Sequence, residues 1–194
     1  MKKPANTSTL GYAVFALTLW MNSMIPAGWF APAGATLALL LAVVLGGCVL
    51  ALAGIGQYMR GDTLDTVLFL SFAGYWWVAA LAQHMPTNMP GPTPGFVGWY
   101  YIVWAFLAFC IWLAACKNGV ARMLFTLGLW LSLLAFALAN WTHLAALMVL
   151  GGYLGLVTAV LGIYIAAAEV INEIHGHIVL PLGESASDNG SSTH

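Results

Sequence analysis

The run from Ala33 to Tyr58 contains no charged side chain and no proline. A helix needs ~20 consecutive apolar residues to cross the hydrocarbon core of a bilayer, and this run supplies them. In lipid, backbone N–H and C=O groups find no water, so such a run folds as a helix that satisfies them internally. The rest of the chain has the same character. Its 194 residues are 62% hydrophobic and 6% charged, with a mean hydropathy of +0.91. Soluble domains are about one quarter charged, so this chain cannot cover itself with a solvated surface. The fold class is all-α integral membrane. The net charge of −1, with no basic stripe, excludes nucleic acid as a partner.

Six segments read as spans: Leu10 to Met24, Ala33 to Tyr58, Thr66 to Ala82, Phe96 to Cys116, Met123 to Ala139, and Leu144 to Ala168, which continues as an amphipathic turn to Ile174. Between the third and fourth, His84 to Pro94 is a loop whose prolines exclude helix. Asn140-Trp141-Thr142 is a tight connection. The domain reading is a cytoplasmic N-terminus over 1–9, a six-helix membrane domain over 10–174, an ordered turn over 175–184, and a disordered polar tail over 185–194. The basic residues Lys2, Lys3, Arg60, Lys117 and Arg122 all fall on one side of a six-span model. The positive-inside rule makes that side, and both termini, cytoplasmic. A five- or seven-span model scatters the same charges over both faces. The first apolar run reads as a retained span, since no small-residue cleavage site follows it.

Small residues recur at helix-packing spacing at Gly151, Gly155, Ala159 and Gly162, and at Gly47 and Gly54. These stripes pack helices either within one protomer or between protomers. Cys48, Cys110 and Cys116 read as small packing residues, with no metal spacing. The histidines are His84, His143, His175, His177 and His194. None of the first four lies inside a span at a depth that would pair haem ligands, so no cofactor and no metal site is expected. Candidate polar groups within the spans are Thr18, Asn22, Ser71, Ser132, Asn140, Thr142 and Thr158, each also able to bond back to its own helix. Glu169 and Glu173 share a helical face at the cytoplasmic mouth. They either relay a proton or solute there, or meet water and pair with Arg60 or Arg122. No span carries an interior Lys or Arg, which favours a small, weakly held, monovalent solute. No phosphate loop, catalytic triad order or H-E-x-x-H is present, so no enzyme activity is expected.

The C-terminal stretch carries Tyr164 and Ala166, then Glu169-Val170-Ile171-Asn172-Glu173, then Val179-Leu180-Pro181-Leu182-Gly183-Glu184. This combination resembles the succinate–acetate permease, or acetate uptake transporter (YaaH-type), family. Gly46-Gly47, Ala53-Gly54, Tyr58, Gly61, Thr63 and Ala121-Arg122 extend the resemblance over most of the chain. It implies a six-helix protomer assembled as a homo-hexamer in the inner (cytoplasmic) membrane. Each protomer then has its own path for acetate or related small monocarboxylates, with succinate as a further candidate, by a passive or proton-linked route. It also implies a hydrophobic constriction at Phe15, Phe72 and Leu131. The residues themselves offer Asn6, Thr9, Ser71 and Asn140 as polar lining of the path.

The chain departs from the family pattern at named positions. An Asn-Pro-Ala-Pro-Leu-Gly signature reads here Asn6-Thr7-Ser8-Thr9-Leu10-Gly11. A Gln and a Glu of the second span are here Leu50 and Gln57, and a Tyr of the third span is Phe72. The chain reads as a divergent member, with a polar group and a carboxylate lost near the path. The alternatives are a channel for formate, lactate or a neutral molecule, and a non-transporting scaffold or enzyme subunit.

Overall fold

The computed structural model describes residues 6–31, 36–83 and 91–183. Lys2, Lys3, His84, Glu184 and the tail 185–194 lie outside them. The described helices are α1 (Thr7–Ser23), α2 (Thr36–Arg60), α3 (Thr63–Ala82), α4 (Pro94–Ala115), α5 (Val120–Thr142) and α6 (Ala145–His175). Of these, α2 to α6 are the five long and apolar enough to cross a membrane. Helix α1 is 17 residues long, about 26 Å at 1.5 Å per residue.

Cap chemistry sets most boundaries. The Asn6 side chain accepts from Ser8 N at 3.1 Å and starts α1. Asp62 accepts from Asp65 N at 3.0 Å and starts α3. This moves the third helix three residues earlier than hydropathy predicts and brings Asp65 inside it. Thr93 caps α4, and Pro94 opens that helix instead of closing the preceding loop. Proline is tolerated at the first helical position because its missing N–H would have no partner there. Asn140-Trp141-Thr142 is the last turn of α5, not a connection; His143, in the left-handed region at φ 57°, ends it.

Helix α2 contains a π-helical stretch, Ala42–Val49. Here Gly46 and Gly47 face Trp76 and Trp77 of α3, so closely that a side chain at either glycine would enter an indole ring. The other small-residue positions also pack within the chain. Gly54 meets Leu70 of α3, Gly151 meets Phe136 of α5, and Gly162 meets Ala16 of α1 and Phe125 of α5. Small residues let helices approach where lipid provides no hydrophobic drive to associate. By contrast, Cys48, Cys110 and Cys116 are exposed. They sit on the apolar exterior, where a thiol behaves as a small hydrophobe.

After α6 the chain folds back over the start of α5. Val120 N and Ala121 N, two of the N–H groups a helix leaves unpaired, donate to Gly183 O at 3.4 Å and Leu182 O at 3.1 Å. Asn172 ties this strap down: its Oδ1 accepts from Val179 N at 2.7 Å and Leu180 N at 2.9 Å, and its Nδ2 donates to Leu180 O at 2.8 Å. The Tyr164 hydroxyl donates to Pro181 O at 2.7 Å.

Gly152 of α6 lies against the turn after α1. An added Cβ would stand 2.8 Å from Ala27 Cα and Pro26 C, which are backbone atoms that cannot swing aside. Gly152→Ala is therefore expected to cost about 1–3 kcal/mol, seen as a lower unfolding midpoint in detergent. Gly95→Ala, with nothing within 4 Å of its Cβ, should stay within about 1 kcal/mol of the parent.

Candidate functional site: a cavity, an aromatic neck and a buried ion pair

Three features follow one another along α1 at helical-turn spacing. Ser8, Thr9 and Tyr12 are polar, Phe15 is apolar, and Leu19, Asn22 and Ser23 line a cavity. From Thr9 to Asn22 the rise is about 20 Å.

The cavity has a volume of ≈330 Å³. It opens at the end where α1 and α3 finish and α4 begins. Asn22, Ser23 and Ser132 supply polar edges, Tyr75 and Tyr101 aromatic walls, and Phe72 and Trp76 the inner end. Asn22 Nδ2 is committed to Thr18 O at 2.9 Å and Ala38 O at 3.1 Å, leaving its carbonyl. Ser132 donates to Gly151 O at 2.7 Å and can still accept.

Below the cavity the bundle closes on aromatic rings. Phe15 is 0% and Phe72 1% exposed. Their ring centroids lie 5.3 Å apart, and Phe15 packs edge-on to Phe125 at 5.3 Å. Trp76 stands at 6.4 Å from Phe15. Leu129 and Leu133 of α5 join this buried cluster. Leu131 is half-buried and outside the cluster. At 100° per residue it points about 200° away from both Leu129 and Leu133. The structure thus brings Phe15 and Phe72 together, and the α5 ring against Phe15 is Phe125.

Beyond the neck lies a buried polar cluster, at the end where α1, α3 and α5 begin and α6 finishes. Arg122 of α5 and Glu169 of α6 form an ion pair, Nη2 to Oε1 at 2.8 Å, with side chains 16% and 7% exposed. Glu169 also accepts from Thr9 Oγ1 at 2.7 Å, Ser8 Oγ at 3.1 Å and Asn6 Nδ2 at 3.4 Å. The Ser8 hydroxyl lies 2.7 Å from Asp65 Oδ2, and Tyr12 donates to Asp65 Oδ1 at 3.0 Å. Gln57, 1% exposed, donates to Asn6 Oδ1 at 3.3 Å. The Arg122 guanidinium carbon also lies 5.9 Å from the Tyr12 ring centroid. Among the described residues no group of three His, Cys, Asp or Glu could hold a metal ion.

Of the residues singled out from sequence, Asn6, Thr9 and Glu169 meet in this cluster. Glu173, one turn on, is exposed. Ser71 donates to Val67 O, and Asn140 to Phe136 O at 2.8 Å, both within their own helices. Thr18, Thr142 and Thr158 bond back in the same way. Ser8, Tyr12 and Asp65 escaped sequence reasoning. The Asp62-x-x-Asp65 spacing, an acidic cap with a carboxylate three residues later, is the signal that could have drawn Asp65 into α3.

The GPR1/FUN34/yaaH family model matches residues 1–184. The chain belongs to that family. It is 29% identical over 185 residues to the succinate-acetate/proton symporter SatP of Escherichia coli (strain K12), covering 94% of this chain and 97% of the relative. It is 28% identical over 184 residues to the glyoxylate pathway regulator of Yarrowia lipolytica, covering 92% of this chain and 68% of that one. The solved structure of the bacterial acetate channel SatP superposes with a TM-score of 0.89 at 27% identity, over 93% of this chain and all of that one (100%). The family member described here is thus a multi-pass membrane protein whose relatives include transporters and channels.

Removing one partner of a buried ion pair leaves a charge uncompensated, which costs roughly 3–5 kcal/mol. Glu169→Ala should lower the thermal midpoint in detergent by that equivalent. Glu173→Ala, at an exposed position, should stay within about 0.5 kcal/mol of the parent.

Proposed function

We propose that this chain is a membrane channel or transporter for acetate and related small monocarboxylates. The observation that carries the reading is the sequence of cavity, neck and cation along one bundle, in a fold shared with an acetate channel at a TM-score of 0.89. The ≈330 Å³ cavity has room for a two- or three-carbon acid and a few waters. Its polar edges are uncharged, so they hold a monovalent anion weakly enough to release it. The Phe15–Phe72 neck, with Phe125 against it, excludes water and hydrated ions by dewetting. A small weak acid passes it partly desolvated. Arg122 then meets the carboxylate on the far side.

The sidedness follows from charge. Arg60, Lys117 and Arg122 lie at the same end of the bundle as the start of α1, which supports cytoplasmic termini and six crossings with α1 as the first. Bacterial relatives of this kind support an inner-membrane location. Exposed apolar side chains such as Leu52, Val103, Phe106 and Val157 provide surfaces for lipid and for protomer contacts in a homo-hexamer. Leu50 and Gln57, where the family pattern has Gln and Glu, favour a second reading in which formate, lactate or a neutral molecule is the preferred solute.

Labelled-acetate uptake into proteoliposomes, with the empty-vesicle rate subtracted, tests the proposal. Protein-dependent initial uptake is expected, and the order of competition among formate, lactate, propionate and succinate names the preferred solute. Uptake at the empty-vesicle rate for all of these would contradict it. Phe72→Ala should widen the neck and admit larger solutes in a swelling assay; an unchanged size cut-off would remove Phe72 from that role.

A further inference from the structure

Ser8 Oγ lies within hydrogen-bonding distance of two buried carboxylates on different helices, 2.7 Å from Asp65 Oδ2 and 3.1 Å from Glu169 Oε1. A hydroxyl has one hydrogen, so it can donate to only one of them. With both carboxylates ionised, the other contact would set a lone pair against an anionic oxygen. Charge is unbalanced in the same place. Asp65 is 0% exposed, and among the described residues the one cation inside the cluster, Arg122, is paired with Glu169. Among the described residues, the other charged groups at this end lie outside the buried cluster. Arg60 at the end of α2 and Lys117 after α4 are exposed, and Asp62 at the start of α3 adds negative charge. Tyr12 from α1 already donates its hydrogen to Asp65 Oδ1. One hydrogen is lacking and one negative charge is in excess, and a single proton corrects both.

A separate observation marks the site as one that receives an anion. Arg122 Nε is buried and has no hydrogen-bond partner among the described residues. With Nη2 engaged by Glu169, this N–H is free for an oxygen of an incoming carboxylate, a charge-assisted bond.

We propose that Asp65, bridged through Ser8 to Glu169, binds the proton that crosses with each substrate carboxylate. The proposal rests on the transport reading above. In the loaded state the Asp65 Oδ2 hydrogen goes to Ser8 Oγ, and the Ser8 hydrogen goes to Glu169 Oε1. Glu169 keeps its pair with Arg122, and Arg122 Nε–H takes the substrate oxygen. Proton and monocarboxylate together add no net charge. When the proton leaves, the Asp65 anion opposes the carboxylate at Arg122 and favours its release. The site also touches the neck. The Tyr12 ring packs on Phe125 at 5.3 Å, and Phe125 packs on Phe15 at the same distance.

The test is whether flux carries charge. In proteoliposomes set to a potential with valinomycin and no pH gradient, initial acetate uptake by the wild type should change by less than about twofold between interior-negative and interior-positive potentials. An unaccompanied anion feels the full potential. Whatever its absolute rate, Asp65→Asn, which keeps an acceptor for Tyr12 and supplies a fixed donor for Ser8, should show uptake that rises several-fold at interior-positive potential. Equal voltage dependence in the two proteins would overturn the proposal. A readout independent of transport is the infrared carbonyl band of a protonated carboxylic acid in purified protein at neutral pH, present in the wild type and absent from Asp65→Asn. A wild type without that band overturns the proton site. The band without acetate flux in any variant leaves the proton site standing and overturns the transport reading instead.

Discussion

Among the described residues Arg122 is the one cation drawn into the interior of this bundle, and the way it is neutralised orders the rest of the structure. A charge at membrane depth costs a few kcal/mol or more unless it is paired or hydrated. The chain answers with Glu169 from α6 at 2.8 Å, and Glu169 in turn needs donors. These come from the first turn of α1, where Asn6, Ser8 and Thr9 all reach its two oxygens. One ion pair therefore fixes three helices against each other at one end. Asp65, through Ser8 and Tyr12, adds a fourth. The family pattern puts prolines on either side of this turn; here Thr7 and Thr9 occupy those positions, and Thr9 makes the 2.7 Å bond to Glu169.

At the other end of α1 the requirement is reversed. There the bundle stays open, and Asn22, Ser23 and Ser132 offer polar edges without fixed charge. Between the two ends Phe15 is fully buried, with Phe72 and Phe125 against it. Uncharged polar edges, a closed aromatic cluster and an already partnered cation thus follow one another along α1. Each part depends on helix spacing that glycine permits. Gly162 lets α6 lie against Ala16 and Phe125 beside the neck, and Gly46 lets Trp76 stand close to α2.

The long apolar runs were legible as helices because hydropathy over about 20 residues has one outcome in lipid. The ends were less legible, because caps are local hydrogen bonds and not composition. Asp62 extended α3 backwards over Asp65, and Pro94 began α4 where it had read as loop. Asn6, Thr9 and Glu169 were recognisable from the resemblance and from their position at span ends. Asp65 was not, because the five residues before it include Arg60 and Asp62 and the neighbourhood reads as a solvated turn. The resemblance names Leu131 for the constriction; on α5 it is half-buried, and Phe125 is the ring that packs on Phe15. Position 57 and position 65 belong together in the same way: the family's carboxylate is absent from Gln57, and Asp65 stands buried in the same hydrogen-bonded cluster.

The proposed transport role requires a closed aromatic neck between an outward cavity and an inward charged site on one path. Single cysteines at Asn22 and Thr9, in a background with Cys48, Cys110 and Cys116 replaced by alanine, test it through labelling with a membrane-impermeant thiol reagent. Asn22→Cys should react only from the outside, Thr9→Cys only from the inside, and acetate should slow both. Labelling of both from one face, with no protection by acetate, would contradict it.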